Sequence, residues 1–137
     1  DYKAGQLYAD LRAATPDGID GYFDNVGGET LDAVLRRMNA FGRIAICGLI
    51  SGYDGQAMPL QNFRSVLVNR LRIEGFIVSE HMELWPDALR ELVGLVGARE
   101  LKYRETIAQG LESAPEAFIG LLKGRNVGKQ LVRLVRP

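Results

Sequence analysis

The sequence is poor in the residues that usually announce chemistry: one cysteine, one histidine and one tryptophan in 137 residues. The single cysteine, Cys47, excludes an intrachain disulfide framework and suits a reducing compartment. The single histidine, His81, reads as a surface or packing residue, and the chain carries no metal-ligand cluster. Neither sign of charge prevails: 17 Lys and Arg balance 17 Asp and Glu, for a formal net charge of zero. That removes the electrostatic reason to expect nucleic acid or an anionic membrane as partner. No apolar run approaches a membrane span, and no charged-then-apolar leader opens the chain. There is also no G-x-G-x-x-G, so no phosphate-cradling turn is visible. The expectation is a soluble, cytoplasmic protein. What is present is 47% hydrophobic residues, ordinary for a globular chain and enough for one domain. The chain opens on Asp1-Tyr2-Lys3 without a methionine, which reads as a processed product or a piece of something longer.

Strands and helices alternate. Leu7, Tyr8 and Leu11 share one face of a short helix over residues 5–14, and Thr15-Pro16-Asp17-Gly18 is a turn. Residues 21–25 read as a strand. Leu31, Val34, Leu35 and Met38 recur at helical spacing and predict a helix over 29–39, broken at Phe41-Gly42. Arg43 to Cys47 is nearly all apolar, like a parallel strand covered on both faces. A Gly-rich loop fills 48–58. Pro59 opens a helix carrying Leu60, Phe63 and Leu67, and Arg72 to Val78 is a third strand. Pro86 opens a further helix with Trp85, Leu89, Leu92, Val93 and Val96 along one stripe. A modest boundary falls near 99–103. Beyond it come a strand over 104–108, a helix with capping-box spacing at Ser113-Ala114-Pro115-Glu116 that buries Ala117, Phe118, Leu121 and Leu122, and a closing strand over 129–135. This order gives the α/β class: a mostly parallel sheet with right-handed crossovers, then β-α-β.

Function must then be read from the strand ends. Open α/β sheets bind ligands in the crevice outside the carboxyl ends of their strands. Two successive strands here end in such residues: Asp24-Asn25-Val26-Gly27-Gly28, and Cys47-Gly48-Leu49-Ile50-Ser51-Gly52-Tyr53. On residue type alone, Asn25 is a turn residue or a ligand contact, and Tyr53 is a surface aromatic or a hydroxyl donor. Cys47 packs at a strand end, with nothing beside it that would lower its pKa.

The tracts Pro16-Asp17-Gly18-Ile19-Asp20, Tyr22-Phe23-Asp24-Asn25-Val26-Gly27-Gly28-Glu29, Gly42-Arg43-Ile44-Ala45-Ile46-Cys47-Gly48, Ile50-Ser51 and Tyr53 closely resemble the prostaglandin reductase/alkenal double-bond reductase family. These are zinc-independent, NADPH-dependent members of the medium-chain dehydrogenase/reductase superfamily. The likeness continues through Gly75-Phe76-Ile77-Val78, Lys102-Tyr103, residues 117–122 and Gly124-Arg125-Asn126-Val127-Gly128-Lys129, so it covers essentially the whole chain in order.

The resemblance implies the second half of a Rossmann-type parallel sheet over residues 1–102. Residues 103–137 would return to a catalytic domain that, like the pyrophosphate turn, lies upstream of Asp1. It implies NADP as cofactor and a small enone or enal as substrate. The matching cofactor contacts are Tyr2, Asn25, Cys47, Gly48, Leu49, Ile50, Ser51, Tyr53, Phe76, Ile77, Val78 and Asn126, with Tyr53 the catalytic candidate and no metal. Tyr2 would meet the adenosine 2′-phosphate. A phenol at Tyr53 would steady or protonate an enolate, a task solvent also performs. The isolated 137-residue chain is expected to be inactive.

Resembling enzymes form homodimers whose sheets join through the strand matching Arg72–Val78. The expectation is therefore a homodimer through that strand, with residues 21–25 as a second exposed edge. The competing reading is a non-catalytic α/β module kept for self-association or partner binding.

Overall fold

The computed structural model describes residues 4–55 and 57–135. The chain falls into two compact units, Asp1–Glu80 and His81–Pro137.

The first unit is a three-stranded parallel sheet, order β1-β2-β3, with helices between the strands. Helix α1 is Leu7–Ala14, β1 Ile19–Asp24, α2 Gly28–Leu35, β2 Met38–Ile46, α3 Arg64–Val68 and β3 Arg72–Gly75. Side chains alternate across each strand. One face of the sheet, with Ile44 as its buried centre, packs on Leu31, Val34 and Leu35 of α2 and on Met38. Leu11, Tyr22, Val66 and Ile73 surround that cluster. The other face carries Arg43, Ala45, Arg72, Glu74 and Phe76 around an open hollow of about 430 Å³. There Phe23, 56% exposed, meets Phe76 with ring centres 5.9 Å apart. The apolar run of β2 therefore has a tightly covered face and a half-open one.

Several boundaries differ from the periodicity. Helix α2 stops at Leu35, and Met38 opens β2 instead of closing the helix. The apolar spacing is satisfied either way, because Met38 stays buried in the same cluster from the strand. The switch is fixed by hydrogen bonds: Ile19 N–H donates to Arg37 O, and the Arg37 guanidinium donates to the carbonyls of Thr15 and Pro16. The strand then bulges. Pairing jumps from Ile19–Met38 to Gly21–Arg43, and Phe41, at φ 64°, donates its N–H to Asn69 O. A break was legible at Phe41-Gly42, but it is a bulge inside a strand and not the end of a helix. The helix expected from Pro59 forms only over Arg64–Val68, with turns before it; of the expected face only Leu67 lies in the helix, 80% exposed, and Val66 packs on the core instead. β3 ends at Gly75, and Ile77 and Val78 lie beyond it.

The second unit contains α4 Trp85–Gly97, β4 Glu105–Gln109, α5 Ala114–Leu122 and β5 Lys129–Arg133. β4 and β5 pair in parallel through the α5 crossover. No residue of α4 is buried; Trp85, Leu89, Leu92, Val93 and Val96 are between 37% and 70% exposed. On α5, Gly120 is buried and Ala117 and Leu121 are half-buried. Phe118 and Leu122, expected inside, are 61% and 50% exposed. The capping box is not made either: Ser113 Oγ donates back to Gly110 O at 2.8 Å.

Leu35 is fully buried at the centre of the first unit. Leu35→Ala should lower the unfolding free energy by about 2–5 kcal/mol, transfer and cavity terms together. A denaturant melt measures it; a loss under about 1 kcal/mol would mean that this cluster is not the core.

Candidate active site

The carboxyl ends of β1 and β2 are tied into one ledge by their backbones. Asp24 O accepts from Cys47 N (2.8 Å) and Gly48 N (3.2 Å). Asn25 O accepts from Ile50 N at 3.2 Å. Val26 O accepts from Ser51 N at 3.0 Å and from Ser51 Oγ at 2.6 Å. Phe76 N, just past β3, donates to Ile46 O at 3.1 Å and brings the third strand end alongside.

The close approach explains a glycine. A Cβ on Gly48 would stand 3.3 Å from Asn25 Oδ1 and 3.4 Å from Asn25 O. Gly27, at φ 70°, turns the chain into α2, and a Cβ there would meet Leu49 at 2.8 Å.

Under the ledge lies Asp24, whose side chain is wholly buried. Its Oδ1 accepts from Val26 N (2.8 Å), Gly27 N (3.0 Å) and Tyr22 Oη (3.1 Å), and Oδ2 accepts from Gly27 N at 3.2 Å. Burial, the nearby Asp24 charge and that hydrogen bond together push the Tyr22 phenol up to about 12. A second buried carboxylate, Asp32, accepts from Asn62 N (2.8 Å), Asn62 Nδ2 (2.6 Å) and Tyr8 Oη (3.2 Å), and so joins α1, α2 and the loop after the ledge. Desolvation and the Asp32 carboxylate raise the Tyr8 phenol. Beside Asp32, an open hollow of about 520 Å³ is lined in part by Tyr8, Glu29, Ser51 and Met58.

The structure brings together Asn25, Cys47, Gly48, Leu49, Ile50, Ser51 and Tyr53, with Phe76 at the third strand end. Asn25 is exposed, Cys47 to Leu49 are half-buried, and Tyr53 is 67% exposed at the end of a single 3₁₀ turn over Ile50–Gly52. Ile77 and Val78 are 61% and 54% exposed. Asn126 belongs to the second unit, where its Nδ2 donates to Gly128 O at 2.6 Å and it borders a hollow with Arg125 and Thr106. Tyr2 lies outside the described residues. Among the described residues, no three His, Cys, Asp or Glu side chains are grouped to hold a metal.

Sequence reasoning passed over Asp24 and Asp32 as individual residues. Asp24 had a readable signal, an Asp followed by a glycine turn, where Asx side chains bond to the backbone ahead. Asp32 had none, because its partners are distant in sequence.

The zinc-binding dehydrogenase family model matches residues 1–94. The chain belongs to this family. Over 137 aligned residues it is 47% identical to a 2-alkenal reductase (NADP(+)-dependent) of Nicotiana tabacum, covering 98% of this chain and 40% of that protein. It is 46% identical over 126 residues to prostaglandin reductase 1 of Rattus norvegicus, covering 90% and 38%. Among solved structures, CurA from Vibrio vulnificus in complex with NADPH superposes with a TM-score of 0.88 at 36% identity, over 100% of this chain and 43% of that one. The chain thus spans about 40% of the length of the curated relatives it matches. The sequence resemblance and the comparisons agree on a medium-chain dehydrogenase/reductase with a Rossmann-like parallel sheet.

The Tyr22 phenol supplies a pH test. Its neutral form is favoured in the folded state, so its contribution to stability is complete below about pH 10, the ordinary phenol value. It is lost as pH rises from there through about 12. An absorbance titration of tyrosinate should lose its latest-titrating step, at about 12, in Tyr22→Phe. If the absorbance lost in Tyr22→Phe instead titrates at about 10, the ordinary phenol value, the buried Tyr22–Asp24 pair is refuted.

Proposed function

We propose that the complete protein containing this chain is an NADPH-dependent reductase of the activated C=C bond of α,β-unsaturated ketones or aldehydes. The carrying observation is the ledge, where glycine-lined backbone at the carboxyl ends of β1 and β2 ties two loops together and leaves Asn25 on one and Tyr53 on the other exposed. That is where an open parallel sheet takes a dinucleotide. The chemistry of the named relatives, an NADP-dependent alkenal reductase and a prostaglandin reductase, supports the substrate class.

The residues present suit a nicotinamide dinucleotide. Gly48 and Gly27 let the two loops pack closely enough to set their backbone groups side by side, and Asn25 offers both a donor and an acceptor. Under this reading Asn25, residues 47–51 and Phe76 hold the nicotinamide half, with Ile77 and Val78 completing that wall. NADPH, when bound, supplies a hydride to the substrate's β-carbon. The π pair of the C=C bond then moves toward oxygen as an enolate, and a proton at the α-carbon completes a saturated carbonyl compound. Tyr53 donates a hydrogen bond to the developing enolate oxygen or delivers that proton; the scheme assigns no task to zinc. Residues 1–102 serve as the second half of the nucleotide-binding domain and 103–137 as the segment returning to the catalytic domain.

The test is Tyr53→Phe in the complete protein, assayed with NADPH and several enones. Turnover should fall about 10- to 100-fold, roughly 1.4–2.7 kcal/mol, less than a fully enclosed oxyanion donor because Tyr53 is solvent-exposed. The KM for NADPH should stay within about twofold, since the phenol acts on the substrate. Absence of NADPH-dependent enone reduction in the unmodified protein would favour the non-catalytic module instead.

The same reading includes a homodimer through the open edge of β3. Phe76 N–H points to β2, and backbone N–H groups alternate sides along a strand, so the N–H of Gly75 faces outward. Twofold pairing of two such edges makes one continuous sheet. The complete protein should sediment as a dimer, and Gly75→Pro, which deletes an outward donor, should shift it to monomer. An unmodified protein that is monomeric at high micromolar concentration would exclude this interface.

A further inference from the structure

We propose that Asp24 is a positioning residue for the dinucleotide ledge, acting through the backbone of Asn25–Gly27 and of Cys47–Gly48; the inference rests on the function proposed above. Asp24 grips the ledge from both ends. Its carboxylate takes the N–H groups of Val26 and Gly27, which fixes the turn on which Asn25 is displayed. Its carbonyl takes the N–H groups of Cys47 and Gly48, which holds the second loop against the first. The turn so fixed aims Val26 O at the N–H and hydroxyl of Ser51, closing a circuit from β1 to β2 and back. Tyr22 completes the carboxylate's shell from the strand behind it at 3.1 Å.

An uncharged isostere serves less well. In Asp24→Asn, with the amide oxygen in the place of Oδ1, the bonds from Val26 N, Gly27 N and Tyr22 Oη survive, but an N–H donor replaces the oxygen that also accepts from Gly27 N, and two donors then face each other in a site without exposure. The turn shifts to relieve them, and Asn25 and residues 47–48 shift with it. Asp24 touches neither substrate nor cofactor in this scheme; it sets the place of groups that do.

The experiment compares three forms of the complete protein: unmodified, Asp24→Asn and Val34→Ala. Val34 is 2% exposed in the α2 core and makes no part of the ledge, so it controls for lost stability. Asp24→Asn should weaken NADPH binding about 10-fold or more by fluorescence titration and speed amide exchange at Val26, Gly27, Cys47 and Gly48. Val34→Ala should lose stability yet bind NADPH within about twofold of the unmodified protein. Equal NADPH affinity in Asp24→Asn, or equal weakening in Val34→Ala, overturns the positioning role while leaving the reductase reading intact. Should the unmodified protein fail to bind NADPH, the reductase reading falls. The exchange rates then decide alone: faster exchange at those four amides keeps Asp24 as organiser of the ledge, and unchanged exchange removes it. Where Asp24→Asn does not fold, Tyr22→Phe takes its place, with about threefold weaker NADPH binding and faster exchange at Val26 and Gly27 expected. No change in either overturns the proposal.

Discussion

The parallel pairing of β1 with β2 is the constraint on which the rest of the first unit depends. Parallel strands need a crossover, and the crossover here is α2, whose apolar stripe must land on the sheet face it bridges. That requirement puts Leu31, Val34 and Leu35 against Ile44 and brings both carboxyl ends out on the same side. The ledge is therefore a consequence of topology. Once two neighbouring parallel strands end level, their exit loops have free backbone groups facing each other. Asp24 and Ser51 convert that adjacency into fixed geometry.

The core and the ledge are stabilised by different physics. The core rests on burial of unbranched and branched aliphatics, which tolerates modest changes of shape. The ledge rests on hydrogen bonds around a carboxylate with no exposure, where an unmet donor costs more than a met one gains. Substitutions in α2 should thus degrade stability smoothly, while changes beneath the ledge act on ligand geometry first. Asp32 shows the same division, joining three segments through Tyr8 and Asn62.

Element order and the parallel class were legible because each depends on short-range pattern, apolar periodicity above all; glycine and asparagine where a strand must turn marked the candidate site in the same way. Boundaries were not. Met38 fits a helical stripe and a strand start equally, and only the Ile19–Arg37 and Arg37–Thr15 hydrogen bonds choose. Phe118 and Leu122 of α5 match an amphipathic stripe yet stand open, since a stripe says that a face is apolar and not what covers it. Ile77 and Val78 extend an apolar run that pairing ends at Gly75. The exposed half of the site was easier to find than the buried half. Asn25 and Tyr53 are polar groups in glycine-rich turns, which draws attention. Asp24 hides at the end of a strand, and Asp32 inside a helix, where a carboxylate gives no sign of its distant partners.

A ledge made of main chain has a consequence for how function and sequence relate in this protein. Backbone N–H and C=O groups carry no side-chain identity, so residues such as Leu49 and Ile50 can line a dinucleotide site while looking like ordinary loop hydrophobes. Their contribution is position, and position is delegated to residues that never meet the ligand. Ligand affinity should then respond weakly to truncation of Leu49 or Ile50 and strongly to whatever moves their peptide planes: the Gly48–Asn25 approach, the Ser51 bond to Val26 and the carboxylate of Asp24. Chemistry follows the opposite rule. It needs a proton donor, and a backbone amide cannot supply that proton to an enolate at neutral pH. Under the proposed function the exposed phenol of Tyr53 is the side chain on the ledge suited to that step, so binding and turnover would fall to separate residues.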